Sequence, residues 1–350
     1  MTQQAPVILW FRRDLRLADH RALSAAVQSG RPVIPVFIYD PLTQSLGAAA
    51  KFRLSLSLAA LAADLAGLGS RLILRRGPAL QVLRELAAEL GAREIHWSRL
   101  YDPASKQRDI EVKSALQDAG FAVKSHMGHV LFEPWTVQTQ TGGFYRVFTP
   151  LWKNVRNLDL PACLAAPNAL MPVARWPACD DLAEWQMEAP MHRGADILRP
   201  HCCVGERAAA ARLDQFMHKR VANYKANRDL PGVDGTSRLS ENLAYGEISP
   251  LRCWHAGWRA LHEGKADAEV FLKELVWREF AYHLAHHTPE ITSRNWKPVW
   301  DDFPWNEDDT PEVLAWKQGR TGIAFVDAAM REMYVTGTMH NRGRMIVASY

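Results

Sequence analysis

From position 6 to about position 130 the chain alternates short apolar runs with stretches whose apolar residues recur at helical spacing. That alternation constrains the fold more than any other feature, because it is the pattern of a parallel sheet covered on both faces by helices. Strands are expected at 7–11, 33–39, 72–74, 94–97 and 121–123, and helices at 51–68, 79–90 and 106–119. Gly69, Gly91 and Gly120 stand where those helices must stop, since glycine enters the left-handed conformation of a helix C-terminus without a Cβ clash. The first strand runs into Arg12-Arg13-Asp14-Leu15-Arg16 and not into a G-x-G-x-x-G turn, which disfavours a dinucleotide-fingerprint site there.

Between 133 and about 205, proline, tryptophan and short polar stretches follow one another without a sustained period, as in an interdomain connection. Beyond it the periodicity is helical throughout, at 206–224, 250–261, 268–287, 311–318 and 322–334. The expected fold class is therefore α/β plus all-α. A doubly wound parallel-sheet domain occupies 1–132, a long connection 133–205, and a helical domain 206–350. The chain stops at Tyr350 inside the apolar run Met345-Ile346-Val347-Ala348-Ser349, which reads as a helix cut short.

A length of 350 residues allows two cores. With 48% hydrophobic and 23% charged residues, the composition is that of a soluble globular protein and excludes disorder. No apolar run has the length of a membrane span and the N-terminus lacks the build of a signal peptide, so a cytoplasmic protein is expected. The five cysteines include the adjacent pair Cys202-Cys203 and fit neither a disulfide framework nor zinc spacing; they read as reduced thiols. A net charge of +4 permits a nucleic-acid partner without demonstrating one.

Three segments of the helical half carry candidate chemistry. On a helix over 268–287, Glu274, Trp277, Arg278 and Ala281 share one face. Either Glu274 and Arg278 pair in solvent above a core tryptophan, or Trp277 offers a flat apolar surface flanked by hydrogen-bonding groups. Thr236, Ser237, Arg238, Leu239 and Ser240 supply hydroxyls and a guanidinium ahead of a helix start, suited either to capping or to a phosphate. In His340-Asn341-Arg342-Gly343-Arg344-Met345, an inward Arg344 would need an acid or a phosphate; otherwise the segment is a basic surface patch. His283, His286 and His287 lack a second ligand cluster, so no metal is expected, and no hydrolase motif is present.

Taken in order, 9–16, 236–240, Gly246-Glu247-Ile248-Ser249-Pro250, 274–280, Val326-Asp327-Ala328-Ala329-Met330 and 339–345 resemble the DNA photolyase and cryptochrome family. The likeness is closest to class I photolyases that repair cyclobutane pyrimidine dimers. It implies an antenna-binding α/β domain and a helical domain that holds FAD and meets UV-damaged DNA. Tyr224, Thr236, Ser237, Arg238, Leu239, Ser240, Arg278 and Arg344 match flavin positions, with the hydroxyl loop on the diphosphate. Arg228, Glu274, Trp277, Arg278, Asn341 and Arg342 match positions that meet DNA. Trp277 would be the wall for a flipped-out dimer, Glu274 the partner of thymine carbonyl and imide groups, and Arg228 and Arg342 phosphate clamps.

Glu274, Trp277, Asn341 and Met345 make up the implied catalytic set, Met345 resembling the dimer-repairing branch. Trp305 matches the outermost tryptophan of the family's photoreduction chain. The implied enzyme is a deoxyribodipyrimidine photolyase, a carbon–carbon lyase in which light-excited reduced FAD lends an electron to the dimer. The likeness also implies a second chromophore, 5,10-methenyltetrahydrofolate ahead of 8-hydroxy-5-deazaflavin, although Ser98-Arg99-Leu100-Tyr101-Asp102 departs from the folate-binding pattern. The likeness further implies a monomer with no membrane partner. A cryptochrome-type blue-light receptor, binding FAD without repair, is the alternative.

Overall fold

The computed structural model describes residues 4–304 and 310–350. Strands β1 (Val7–Phe11), β2 (Val33–Tyr39), β3 (Ile73–Arg76), β4 (Glu94–Ser98) and β5 (Ala122–His126) form one parallel sheet in the order β3-β2-β1-β4-β5. Alternate side chains of β1 feed two different cores. Val7, Leu9 and Phe11 pack with helices α1 (Arg21–Gln28) and α2 (Ala48–Gly67), whereas Ile8 and Trp10 pack with α3 (Ala79–Leu90) and α4 (Pro103–Asp118). Both faces are thus covered, which is why β1 is an unbroken apolar run with no polar face. Gly69, Gly91 and Gly120 all have positive φ, as their stop positions require.

Helix α1 is absent from the sequence expectation. It is two turns long, and its N-cap is His20, whose Nδ1 accepts from the Leu23 N–H at 3.1 Å in place of the usual serine or aspartate. The expected helix over 206–224 also differs. Helix α6 (Glu206–Lys219) ends where Arg220 leaves helical geometry to pair with Asp234, and a 3₁₀ turn (Val221–Asn223) buries Val221 before a single turn at Tyr224–Asn227.

Residues 133–205 are more than a tether. Helix α5 (Phe148–Val155) places Leu151, Trp152 and Val155 in the core of the helical half, while Leu170, Trp185 and Met187 join the core beside the sheet. In the helical half, α7 (Ser240–Tyr245) leads into α8 (Pro250–His262), which packs along α9 (Ala268–His287). Helices α10 (Ala324–Thr336) and α11 (Asn341–Ser349) pack on each other through Val326, Ala329, Met330 and Val347. Among the described residues no helix is long and apolar enough to cross a membrane.

The loop after β1 joins the two halves. Leu15 N–H donates to the Tyr245 carbonyl at 3.1 Å, Arg13 Nε to Ala244 O at 3.1 Å, and the buried Arg16 to Gly246 O at 3.0 Å and Gly128 O at 2.7 Å. Gly246 (φ +68°) ends α7 here, and a Cβ on it would stand 2.1 Å from the Arg13 carbonyl. Three residues on, buried Ser249 caps α8 by accepting from the Arg252 N–H at 3.0 Å, with Pro250 at the first helical position. Ser249→Ala should lower the unfolding free energy by about 1 kcal/mol, read as a shift in the urea midpoint at unchanged slope.

Candidate cofactor and nucleic-acid site

A cavity of about 340 Å³ opens between the β1 loop and the helical half. Helix α9 lines it with Phe271, Leu275, Arg278 and Tyr282, spaced three or four apart, and with Glu274; Tyr224, Ser237, Leu239 and Ser240 add to the lining, and Arg13 enters from the sheet half. The stripe facing the cavity therefore differs from the expected one. Phe271 and Leu275 belong to it, Ala281 is exposed, and Trp277 lies on the adjoining strip.

The two charges of that helix do not pair with each other. Arg278 donates to the buried Glu279 at 2.8 Å, and its guanidinium lies 4.9 Å from the Tyr282 ring centroid. Burial pushes the Glu279 carboxyl up against the opposing pull of Arg278; one of its oxygens also accepts from the Leu131 N–H at 2.6 Å. Tyr282 in turn meets His129 Nε2 at 2.7 Å, and burial holds that imidazole well below the usual histidine range, hence neutral. Arg278 Nη2 is buried without a hydrogen-bond partner among the described residues. A buried guanidinium N–H left unmet in a cavity wall fits an acceptor-rich group bound there. Burial also raises the Tyr224 phenol to about 12, so it stays a neutral hydroxyl. Ser240 begins α7, but no side chain caps that helix, so the capping role open to this loop is not realised.

From Glu274 in the cavity wall, four charges alternate. Arg342 donates to Asp229 through Nε at 3.0 Å and Nη2 at 2.8 Å, Asp229 lies 3.5 Å from Arg228 Nε, and Arg228 is paired with Glu274. Met345 Sδ lies 3.2 Å from Arg342 Nη1. The row thus draws Glu274, Arg228, Arg342 and Met345 together, 113 residues of sequence separating Asp229 from Arg342. Trp277 is 47% exposed, not core, and stacks on Phe148 with centroids 3.8 Å apart and planes within 4°.

The remaining expected residues lie elsewhere. Arg238 (φ +52°) turns outward onto Asp234 at 3.0 Å, Arg344 is exposed and donates to Met339 O at 3.2 Å, and neither lines the cavity. Thr236 is partly buried just outside the lining and Asn341 is exposed at the start of α11. Trp305 falls outside the described residues. Sequence reasoning did not single out Arg13, Tyr282, Phe148 or Asp229 for this site; only the doubled arginine after β1 was a signal. The three histidines of α9 fasten the 133–148 segment: His283 Nε2 accepts from Tyr145 N–H at 3.1 Å and His287 stacks on Phe144.

A second crevice, of about 420 Å³, opens at the carboxyl ends of β1, β2 and β4, where the strand order reverses. Arg12, Arg13, Arg108, Asp102, Leu46 and Tyr245 are among its walls. Ligands of doubly wound sheets bind at such switch points.

Residues 7–169 match the DNA photolyase model and residues 271–350 the FAD binding domain of DNA photolyase. Over 348 residues the sequence is 43% identical to the deoxyribodipyrimidine photo-lyase of Agrobacterium fabrum, covering 99% of this chain and 72% of the relative. The chain belongs to the DNA photolyase and cryptochrome family. The crystal structure of a bacterial class III photolyase from Agrobacterium tumefaciens superposes with a TM-score of 0.95 at 42% identity, over 100% of this chain and 73% of that one. An archaeal photolyase from Sulfolobus tokodaii, solved with two FAD molecules and described as implying a novel light-harvesting cofactor, superposes at 0.79 with 27% identity, over 98% of this chain and 74% of that one. The motif likeness points toward class I, whereas the Agrobacterium structure is of class III. Several of those motifs build the cavity and the interface beneath it, and they carry the family more than the class.

Proposed function

We propose that this protein is a blue-light-driven photolyase that repairs cyclobutane pyrimidine dimers in DNA, with units 1–132 and 206–350 joined by 133–205. One observation carries the reading: a cavity with an unmet buried guanidinium has in its wall Glu274, which starts a row of paired charges holding two arginines and shares its helix with an exposed, one-side-stacked indole. The cavity walls suit FAD. Tyr224, Ser237, Leu239, Ser240 and Arg278 would hold it, the serine hydroxyls and Arg278 meeting its phosphate and ribityl oxygens. When bound and reduced, FAD supplies under blue light the electron that opens the cyclobutane ring and then takes it back, so the reaction has no net redox change.

The chain's own residues would do the rest. Trp277 offers its free face to the dimer, Glu274 accepts from the imide, and Arg228 and Arg342 grip the backbone. Asn341 precedes Arg342 at the start of α11, and Met345 lies one turn further along that helix with its Sδ 3.2 Å from Arg342 Nη1. Positioning and exclusion of water are the protein's share in cofactor chemistry of this kind. The switch-point crevice is the proposed seat of a second chromophore, a folate or a deazaflavin, among Arg12, Arg13 and Arg108. The enzyme would act as a monomer in the cytoplasm.

The test is the count of dimers remaining in irradiated DNA after incubation with the FAD-loaded protein, under blue light and in darkness. Loss in light alone is expected. Equal counts with flavin retained would favour the cryptochrome-type reading.

A further inference from the structure

The row of charges that starts at Glu274 contains one residue with no role in the proposed repair. Asp229 follows Arg228 and is 48% exposed, so burial does not explain its contacts. All of them converge on a single oxygen: Oδ1 receives Nε and Nη2 of Arg342, the two N–H edges of the guanidinium fork, and also faces Nε of Arg228. A lone oxygen held between two guanidiniums is how arginines receive a phosphate oxygen. With Glu274 on the far side of Arg228, the row holds two cations and two anions and sums to zero.

We propose that the Asp229 carboxylate occupies the position a DNA backbone phosphate takes on binding, so that it sets the protein's affinity for DNA by competing for Arg228 and Arg342. The inference rests on the DNA-binding reading above. Affinity for a polyanion comes from releasing the counterions condensed on it, and each phosphate neutralised by a protein cation contributes. An arginine already neutralised by its own chain contributes little until the internal carboxylate swings away. The exposed position of Asp229 lets it do so. The same contact keeps both guanidiniums pre-oriented while no DNA is present, and it holds down binding to undamaged duplex, which has only phosphates to offer.

The experiment compares wild type, Asp229→Asn, Arg342→Gln and the double variant, with Glu188→Gln as a control that removes the same charge from the exposed Glu188–Arg199 pair elsewhere. The measurements are the salt concentration at elution from a heparin column, the affinity for undamaged duplex against salt, flavin content and light-dependent repair. Asp229→Asn should elute later than wild type and bind undamaged duplex about two- to fivefold more tightly at low salt. Its log–log salt slope should be steeper by roughly one phosphate's worth. Glu188→Gln should move elution less, and the gain should shrink in the Arg342→Gln background, where only the weaker Arg228 contact is left to release. Unchanged or earlier elution of Asp229→Asn, a shift equal to that of Glu188→Gln, or a gain undiminished by Arg342→Gln would overturn the proposal, as would loss of flavin as the only effect. Failure of repair in wild type with the heparin shift intact would sink the repair reading and leave the Asp229 assignment standing.

Discussion

Glu247→Ala is expected to destabilise the protein by about 3–5 kcal/mol, because it strands a buried cation between the two halves. Glu247 has no exposed surface, and its two oxygens receive four donors: Arg53 Nη1 at 3.0 Å and Nη2 at 2.6 Å, the Gly205 N–H at 2.8 Å and Asn242 Nδ2 at 2.7 Å. Arg53 comes from α2 beside the sheet, Gly205 from the end of the connecting segment, and Asn242 from α7. One carboxylate thus ties three parts of the chain. Without it, the guanidinium keeps the Cys203 carbonyl at 2.9 Å but loses its close counter-charge, and Glu241 at 3.7 Å is a weak substitute. Glu247→Gln should cost less, since an amide still accepts through one oxygen while abandoning the charge. Urea unfolding decides the matter; a midpoint for the alanine variant within that of Ser249→Ala would mean that Arg53 finds another partner.

Glu247 also shows what the sequence could and could not disclose. The strands of the sheet and the span of α9 follow from local periodicity, since burial on both faces and a long run of helix formers are written in neighbouring residues. Gly246-Glu247-Ile248-Ser249-Pro250 is visible as a motif, yet its work is to face Arg13, Arg16 and Arg53, all roughly two hundred residues away. The site behaves likewise. Successive helical residues stand about 100° apart, so Glu274, Trp277 and Arg278 span a wide sector of α9. Periodicity does not say which edge of that sector looks into a cavity. Arg13, arriving from the sheet, and Phe148, arriving from the connection, decide it: the first closes the wall beside Phe271 and Leu275, and the second claims one face of Trp277. Arg238 and Arg344 point outward because acid Asp234 and carbonyl Met339 lie there to receive them, partners no spacing rule selects. Helix α1 is hidden for a different reason, its cap being a histidine ring.

Trp277→Ala should weaken binding to DNA carrying a pyrimidine dimer roughly five- to a hundredfold, the range for losing one or more stacked bases, and leave undamaged duplex nearly unaffected. Phe148 covers one face of the indole in a near-parallel stack at 3.8 Å, while the residue as a whole stays 47% exposed, so one broad apolar face is held in a fixed plane beside Glu274. Intact duplex has no free base face to set against it. Extrusion costs a few kcal/mol for paired bases and less for damaged ones, a rule drawn from photolyases among other enzymes. On the proposed reading the stacking surface would be used only when a lesion is present, and its removal should act on specificity and not on general affinity. Trp277→Phe, which keeps a flat ring on Phe148, should recover part of the loss. Anisotropy titrations with matched oligonucleotides, one holding a single dimer, measure both affinities. Equal weakening on the two DNAs would mean that Trp277 merely packs the 148–152 segment against α9, and the preference for damage would then have to arise deeper in the cavity, at Arg278 and Tyr282.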